Sequence, residues 1–360
     1  MPGRVSLYLD AARLLAAVAV FVSHSKFYTG GLLWQAELVN QHAVLIFFVL
    51  SGFVIAYVTA STERDAASYA VNRLARLYSV VLPALVLTYT LAAIGVAEAP
   101  SVYEMAASVG AAHHARDALA SLLFLNELWG QHIDPPANNP YWSLGFEAPY
   151  YVMFGLVVFV PGWKGPLLAS LCALAVGPAV IVIFPLWLLG SFCHRFCRQR
   201  QIGRGTARCL LLAAVVLVGC QIIYQTAHGK IADIRDFPSL DRKRLIDYAQ
   251  YYLIGGAFAL SIVGVWFAGP LVAVPAVVAR SIRWLAGATL SLYLFHLPLM
   301  RFMAAMAKFP AGSVPGRALI LVGVPIIVLL LAEVTERRKN AWRRWIWARL
   351  NGLTAKRIGG

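Results

Sequence analysis

Tyr141-Trp142-Ser143-Leu144-Gly145-Phe146-Glu147 opens an apolar run that continues through Tyr150-Tyr151-Val152-Met153-Phe154 to Val160. A carboxylate at membrane depth is costly. It normally faces a polar cavity or a partner, and so marks a candidate functional site. Position alone equally allows Glu147 to sit hydrated at the headgroup level. Three other stretches share this character. The first apolar run holds Asp10, Arg13 and His24. At 100° per residue, Arg13 and His24 lie within about 20° of one face, about 16 Å apart along the axis. Asp10 is about 21 Å from His24, so its local partner is Arg13, one turn on. His24 has the chemistry of a general base, or of a hydrated residue at a span end. Arg73 and Arg76, three apart, share a helix face. Their guanidinium forks suit phosphate, although an ordinary positive flank has the same spacing. His296 lies mid-run in Ser291-Leu292-Tyr293-Leu294-Phe295-His296-Leu297-Pro298, and at that depth it must meet a partner or a cavity, for packing or for catalysis.

The composition says what carries these groups. Hydrophobic residues make up 60% of the 360 and charged residues 13%, with a mean hydropathy of +0.70. That is a polytopic, all-α membrane bundle rather than a soluble domain. The 31 basic residues against 16 acidic ones give a net charge of +15. In a soluble chain this would suggest nucleic acid. Here the arginines sit in short loops and at the C-terminus, as topology signals and contacts to anionic lipid, and no nucleic-acid partner is expected. The five cysteines show no paired framework, and Cys193-His194-Cys197 lacks the remaining ligands of a tetrahedral site, so no metal is expected. The first run carries Asp10 and Arg13 and lacks a cleavage signal, so it is expected to remain as a span.

Spans of about 20 apolar residues are expected at roughly 6–25, 42–60, 77–97, 107–126, 142–160, 166–190, 207–224, 248–267, 286–306 and 317–336. The fourth is interrupted by His113, His114, Arg116 and Asp117. The sixth holds Pro178 and Pro185 and can break into a span and a short helix. The run 270–279 is too short to cross and is expected to be re-entrant or interfacial. With ten spans and both ends inside, the clusters Arg64/Arg73/Arg76, Arg195/Arg198/Arg200/Arg204/Arg208 and Arg280/Arg283 all fall on the cytoplasmic side. Loop 225–247, of mixed charge, becomes the largest outer segment. One membrane domain, 1–336, precedes a basic tail, 337–360. In that tail Trp342, Trp345, Ile346, Leu350 and Leu353 recur at the spacing of an interfacial helix.

Taken in order, the motifs resemble the membrane acyltransferase-3 family. Leu9-Asp10-Ala11-Ala12-Arg13-Leu14-Leu15-Ala16-Ala17 with His24 resembles its first-helix pattern, and Phe47-Phe48-Val49-Leu50-Ser51-Gly52-Phe53 its second-span signature. Arg73-x-x-Arg76-x-Tyr78 is similar to a third motif, with Ser79 where proline is usual. Trp142-Ser143-Leu144-x-x-Glu147-x-x-Tyr150-Tyr151 and Tyr293-Leu294-x-His296 resemble two more. Ala148-Pro149 departs from the family, where a second acidic residue is common.

The resemblance implies about ten transmembrane helices in a bacterial cytoplasmic membrane. It also implies transfer of an acyl group, usually acetyl, from cytoplasmic acetyl-CoA to a hydroxyl of an extracytoplasmic or lipid-linked carbohydrate. Such a reaction needs a base, an orienting group and a donor clamp. On this reading His24 is the base, or forms an acyl-His, and Glu147 fixes its tautomer or shares the proton. Arg73 and Arg76 bind the phosphates of the coenzyme. Arg13 also binds the donor, and Asp10, Trp142, Ser143, Tyr151 and His296 line its path or support it. A different class, a transporter or flippase of a sugar or lipid-linked glycan, also suits inward-facing charges. It would favour paired repeats with broken helices, and no such symmetry is visible.

Overall fold

The computed structural model describes residues 1–235, 242–270 and 272–358, and among them no residue is in a strand. The helices are α1 Gly3–Ser25, α2 Asn40–Ser61, α3 Ala66–Glu98, α4 Ala111–Leu122, α5 Trp142–Phe159, α6 Lys164–Val176 and α7 Pro178–Gln199. They continue with α8 Arg204–His228, α9 Arg242–Phe267, α10 Ala276–Ala286, α11 Thr289–Ala307, α12 Val324–Val334 and α13 Lys339–Ile358. Asp236 and Asp241 of the expected outer loop lie outside the described residues, as do the side chains of Arg242, Leu353, Lys356 and Arg357.

Among the described residues nine helices are long and apolar enough to cross a membrane, against an expected ten. The difference lies in the expected fourth span. There α4 is only 12 residues, about 18 Å, well short of a ~30 Å hydrocarbon core. Asp117 accepts from both His113 and Arg116 at 3.1 Å, which makes an amphipathic helix. The expected sixth span breaks as its prolines allow. Gly177, at φ 89°, turns the chain and Pro178 starts α7, where a missing N–H costs nothing. Pro185 stays inside that helix. Near the C-terminus a π-turn at Leu319–Gly323 precedes α12. Pro325, which cannot donate to the preceding turn, accounts for it. The short segment after Pro270 becomes the 11-residue α10, packed on α1.

The chain forms two compact units. Unit 1 comprises Met1–Thr62, Glu127–His132 and Leu174–Thr289; unit 2 comprises Glu63–Asn126, Ile133–Ala173 and Leu290–Gly360.

In unit 1, α2 packs closely on α7, and two glycines set the approach. A Cβ on Gly52 would stand 1.8 Å from the Trp187 carbonyl oxygen, and one on Gly190 would stand 1.9 Å from that of Val49. Small residues let helices meet this way in lipid. Trp187 Nε1 donates to Ser51 Oγ at 3.3 Å beside the contact. The Ser51-Gly52-Phe53 signature is thus, in the first place, a packing surface. In unit 2, Asn138 ties three segments together by donating to Thr88 Oγ1 and to the Leu294 carbonyl, each at 3.1 Å. The Tyr69 hydroxyl donates to the Tyr151 carbonyl at 2.8 Å and joins α3 to α5.

Candidate active site

Unit 2 gathers most of the motif residues. A capping box between Asp65 and Ser68 starts α3 early, so Arg73 and Arg76 lie two to three turns inside the helix rather than at its mouth. Arg73 is buried and paired with Glu63, whose side chain is 0% exposed. Asn72 donates to the same Glu63 oxygen at 2.9 Å. The guanidinium lies 5.1 Å from the Tyr69 ring and 6.0 Å from the Tyr151 ring. Its Nε–H is buried with no partner among the described residues. A groove of about 360 Å³ runs past it, lined by Tyr69, Arg73, Leu77, Tyr78, Tyr151 and Phe159 among others.

One turn further along α3, Arg76 is faced by Tyr151, Glu147 and Glu336. Glu147 and Tyr151, four apart on α5, share a face, and the Tyr151 hydroxyl donates to Glu147 Oε1. Glu336 sits where the chain breaks at Thr335 between α12 and α13. Its Oε2 accepts from the Ser291 amide at 2.9 Å in the first turn of α11, a position where the helix dipole favours an anion. The beginning of α11 is thereby joined to the base of the C-terminal helix, which packs on α3. Trp345 of that helix is exposed, with Arg349 over its ring at 5.6 Å.

The supporting residues of α5 and α11 occupy the same unit. Trp142 is buried edge-on to Phe146 at 5.1 Å, and the Ser143 hydroxyl turns to the Pro140 carbonyl at 3.5 Å. His296 is fully buried and donates from Nδ1 to the Leu292 carbonyl at 2.8 Å.

Asp10, Arg13 and His24 belong to unit 1. Arg13 pairs with Asp10 at 3.2 Å, as the spacing requires. His24, in the last turn of α1, hydrogen-bonds to the Val20 carbonyl. A carbonyl only accepts, so this bond holds the proton on one ring nitrogen and leaves the lone pair on the other. The Cys193-His194-Cys197 cluster is packed away, with His194 edge-on to Phe53 and Tyr57 at 5.7 Å.

The family model of an acyltransferase domain, the acyltransferase-3 model, matches residues 6–334. The chain belongs to this family. It is therefore a membrane acyltransferase, multi-pass and helical. No curated protein and no solved structure gives a significant match.

Several engaged residues escaped the sequence reading. Glu63 stands ten residues before its partner in a charged loop, and Glu336 is followed by Arg337, Arg338 and Lys339, so each merged into a basic flank. Glu127 and His132 lie in a polar loop with no periodicity. Only their exchange of a carboxylate and an imidazole at short spacing could have marked them.

Proposed function

We propose that this acyltransferase moves an acetyl group from cytoplasmic acetyl-CoA to a hydroxyl of an extracytoplasmic or lipid-linked carbohydrate. The observation that carries the donor half is Arg73. A buried guanidinium with an unmet Nε–H, at the edge of an apolar groove, suits a phosphorylated ligand with a long neutral arm. Arg is well fitted to phosphate because a carboxylate can hold one part of the fork while the rest remains available. Arg76 is the second clamp, and Glu147 with Tyr151 holds it in place. His24 is the base. Its bond to Val20 supports this by fixing the ring's orientation and tautomer, as suits a group that takes the proton of the attacking hydroxyl. No metal takes part in this scheme.

We place the protein in a bacterial cytoplasmic membrane with both termini inside. The basic C-terminal helix rests on anionic lipid, for which the exposed Trp345–Arg349 pair is apt. With α4 too short to cross, the arginine-rich 195–208 segment stays inside if α6 supplies the missing crossing. At 13 residues, about 20 Å, α6 would do so by thinning the bilayer locally.

Binding of radiolabelled acetyl-CoA to the purified protein in nanodiscs tests the donor half. Arg73→Lys keeps the charge and removes the fork. It is expected to weaken binding about tenfold, as loss of one charge-assisted bond would. Unchanged affinity in Arg73→Lys would contradict the clamp.

A further inference from the structure

In unit 1 the helices α7, α8 and α9 bound a cleft that no motif residue lines. Both α7 and α8 pack on α9, while among the described residues α7 and α8 scarcely touch each other. The space between them is an apolar groove of about 520 Å³. Phe192 and Phe196 wall it on α7, Leu210 and Leu217 on α8, and Gly256 and Leu260 lie on its α9 side. Two consecutive glycines of α9 have opposite surroundings. A Cβ on Gly255 would stand 2.6 Å from Leu186 Cδ2 of α7, whereas one on Gly256 would meet nothing within 4 Å. Gly255 thus brings α9 against α7, and Gly256 leaves the floor of the groove unfilled. The groove ends at a basic rim. The Arg200 amide donates to the Phe196 carbonyl at 2.9 Å, so Arg200 stands one turn beyond Phe196 on the groove side of α7. Arg204 opens α8. Its side chain reaches the turn after α9, with Nε 3.7 Å from the position a Cβ on Gly269 would take. Both arginines are exposed. Four residues apart, their Cα atoms lie within about 14 Å, close enough for two long side chains to meet one phosphate.

The length of the groove fits one leaflet. From Tyr252 to Val263, both of which line it, α9 rises about 16 Å, half of a ~30 Å hydrocarbon core. A lipid chain of one leaflet has that reach, and a phosphate joined to it would stand at the arginines. Guanidinium forks suit phosphate, and basic pockets between spanning helices take anionic headgroups. We infer that this groove binds one anionic diacyl phospholipid, with a chain between α7 and α8 and the phosphate on Arg200 and Arg204. The lipid supplies the contact that the two helices do not make with each other. A positive flank that serves only as a topology signal needs no groove beneath it and no open glycine in the groove's floor. The inference rests on the chain's place in a membrane and not on the acyl-transfer reading.

Native mass spectrometry of the full-length protein in detergent tests it, by titration with phosphatidylglycerol or with phosphatidylcholine of the same chains. The wild type is expected to bind one phosphatidylglycerol about tenfold more tightly than phosphatidylcholine, as one added charge-assisted contact would allow. Arg200→Gln/Arg204→Gln should remove that preference. Gly256→Leu fills the groove without meeting the protein at its Cβ, and should weaken phosphatidylglycerol about tenfold. The control is Gly219→Leu. A Cβ there also meets nothing within 4 Å, but Gly219 lies about 180° from Leu210 around α8, so binding should match the wild type. No preference in the wild type, or a preference that survives in Arg200→Gln/Arg204→Gln, would overturn the phosphate site. Wild-type binding by Gly256→Leu, or equal weakening by Gly219→Leu, would overturn the groove.

Discussion

Removing Glu63 should unsettle unit 2 more than any surface ion pair could. Its carboxylate is fully buried and neutralises Arg73, whose side chain is 8% exposed. Glu63→Ala leaves that guanidinium in the bundle with no counter-charge, and Asn72 loses its acceptor. Breaking a buried pair from one side costs about 3–5 kcal/mol, because the surviving charge stays desolvated. At about 2–4 °C per kcal/mol for a domain of this general size, the melting point should fall by roughly 6–20 °C. The assay is tryptophan-fluorescence melting in nanodiscs, with Trp142 buried in the same unit. The double variant Glu63→Ala/Arg73→Met removes both charges and should recover a large part of the loss, since an apolar replacement of a buried pair is often close to neutral. A melting point for Glu63→Ala within 2–3 °C of wild type, or no recovery in the double variant, would refute the argument. The first result would mean that water reaches the pair and screens it, the second that the loss does not come from the unpaired charge of Arg73.

Other expectations follow from the same geometry. Gly52→Ala puts a methyl 1.8 Å from the Trp187 carbonyl, so α2 and α7 must separate; overpacking of this kind costs about 1–3 kcal/mol, read as a lower melting point and reduced yield. Ser51→Ala loses a 3.3 Å bond from Trp187 and should cost about 1 kcal/mol, so equal damage from both substitutions would contradict a packing role for the signature. Tyr151→Phe keeps the ring beside Arg73 and removes the donor to Glu147. A bond to a charged group is worth about 1.5–3 kcal/mol. Thermal stability should fall by about that much, and acetyl-CoA affinity should fall with it if the Glu147–Arg76 arrangement supports the donor.

Much of the fold was legible because lipid imposes a simple rule: long apolar runs without charge become spanning helices. That rule located α1, α2, α3, α5, α8, α9 and α11. It failed at 107–126, where apolar content alone suggested a span while His113 and Arg116 both pair with Asp117 on an amphipathic helix of 12 residues. The break at Gly177-Pro178 was readable, since glycine followed by proline leaves few backbone options. Of the site, Asp10 with Arg13 was readable from one turn of spacing. The pair of Arg73 with Glu63 was not, nor was the charge of Glu336 that faces Arg76. These charges come together across a loop or across most of the chain, and a helical period says nothing about which charges from distant segments will meet. From sequence, Glu147 was expected to fix the tautomer of His24 or to share its proton; the bond of His24 to the Val20 carbonyl, one turn back on the same helix, was not foreseen.

The central claim is that this acyltransferase uses His24 as the base that delivers a hydroxyl to an acetyl thioester. Release of free thiol from acetyl-CoA by the purified protein in nanodiscs, with a total glycan extract as acceptor, tests it directly when wild type is set against His24→Ala. His24 lies half-buried at the end of α1, so the variant should insert and melt much as the wild type does. The account expects acceptor-dependent thiol release by the wild type and its loss in His24→Ala, with acetyl-CoA still bound. Wild-type turnover in His24→Ala, at an unchanged melting point, would contradict it.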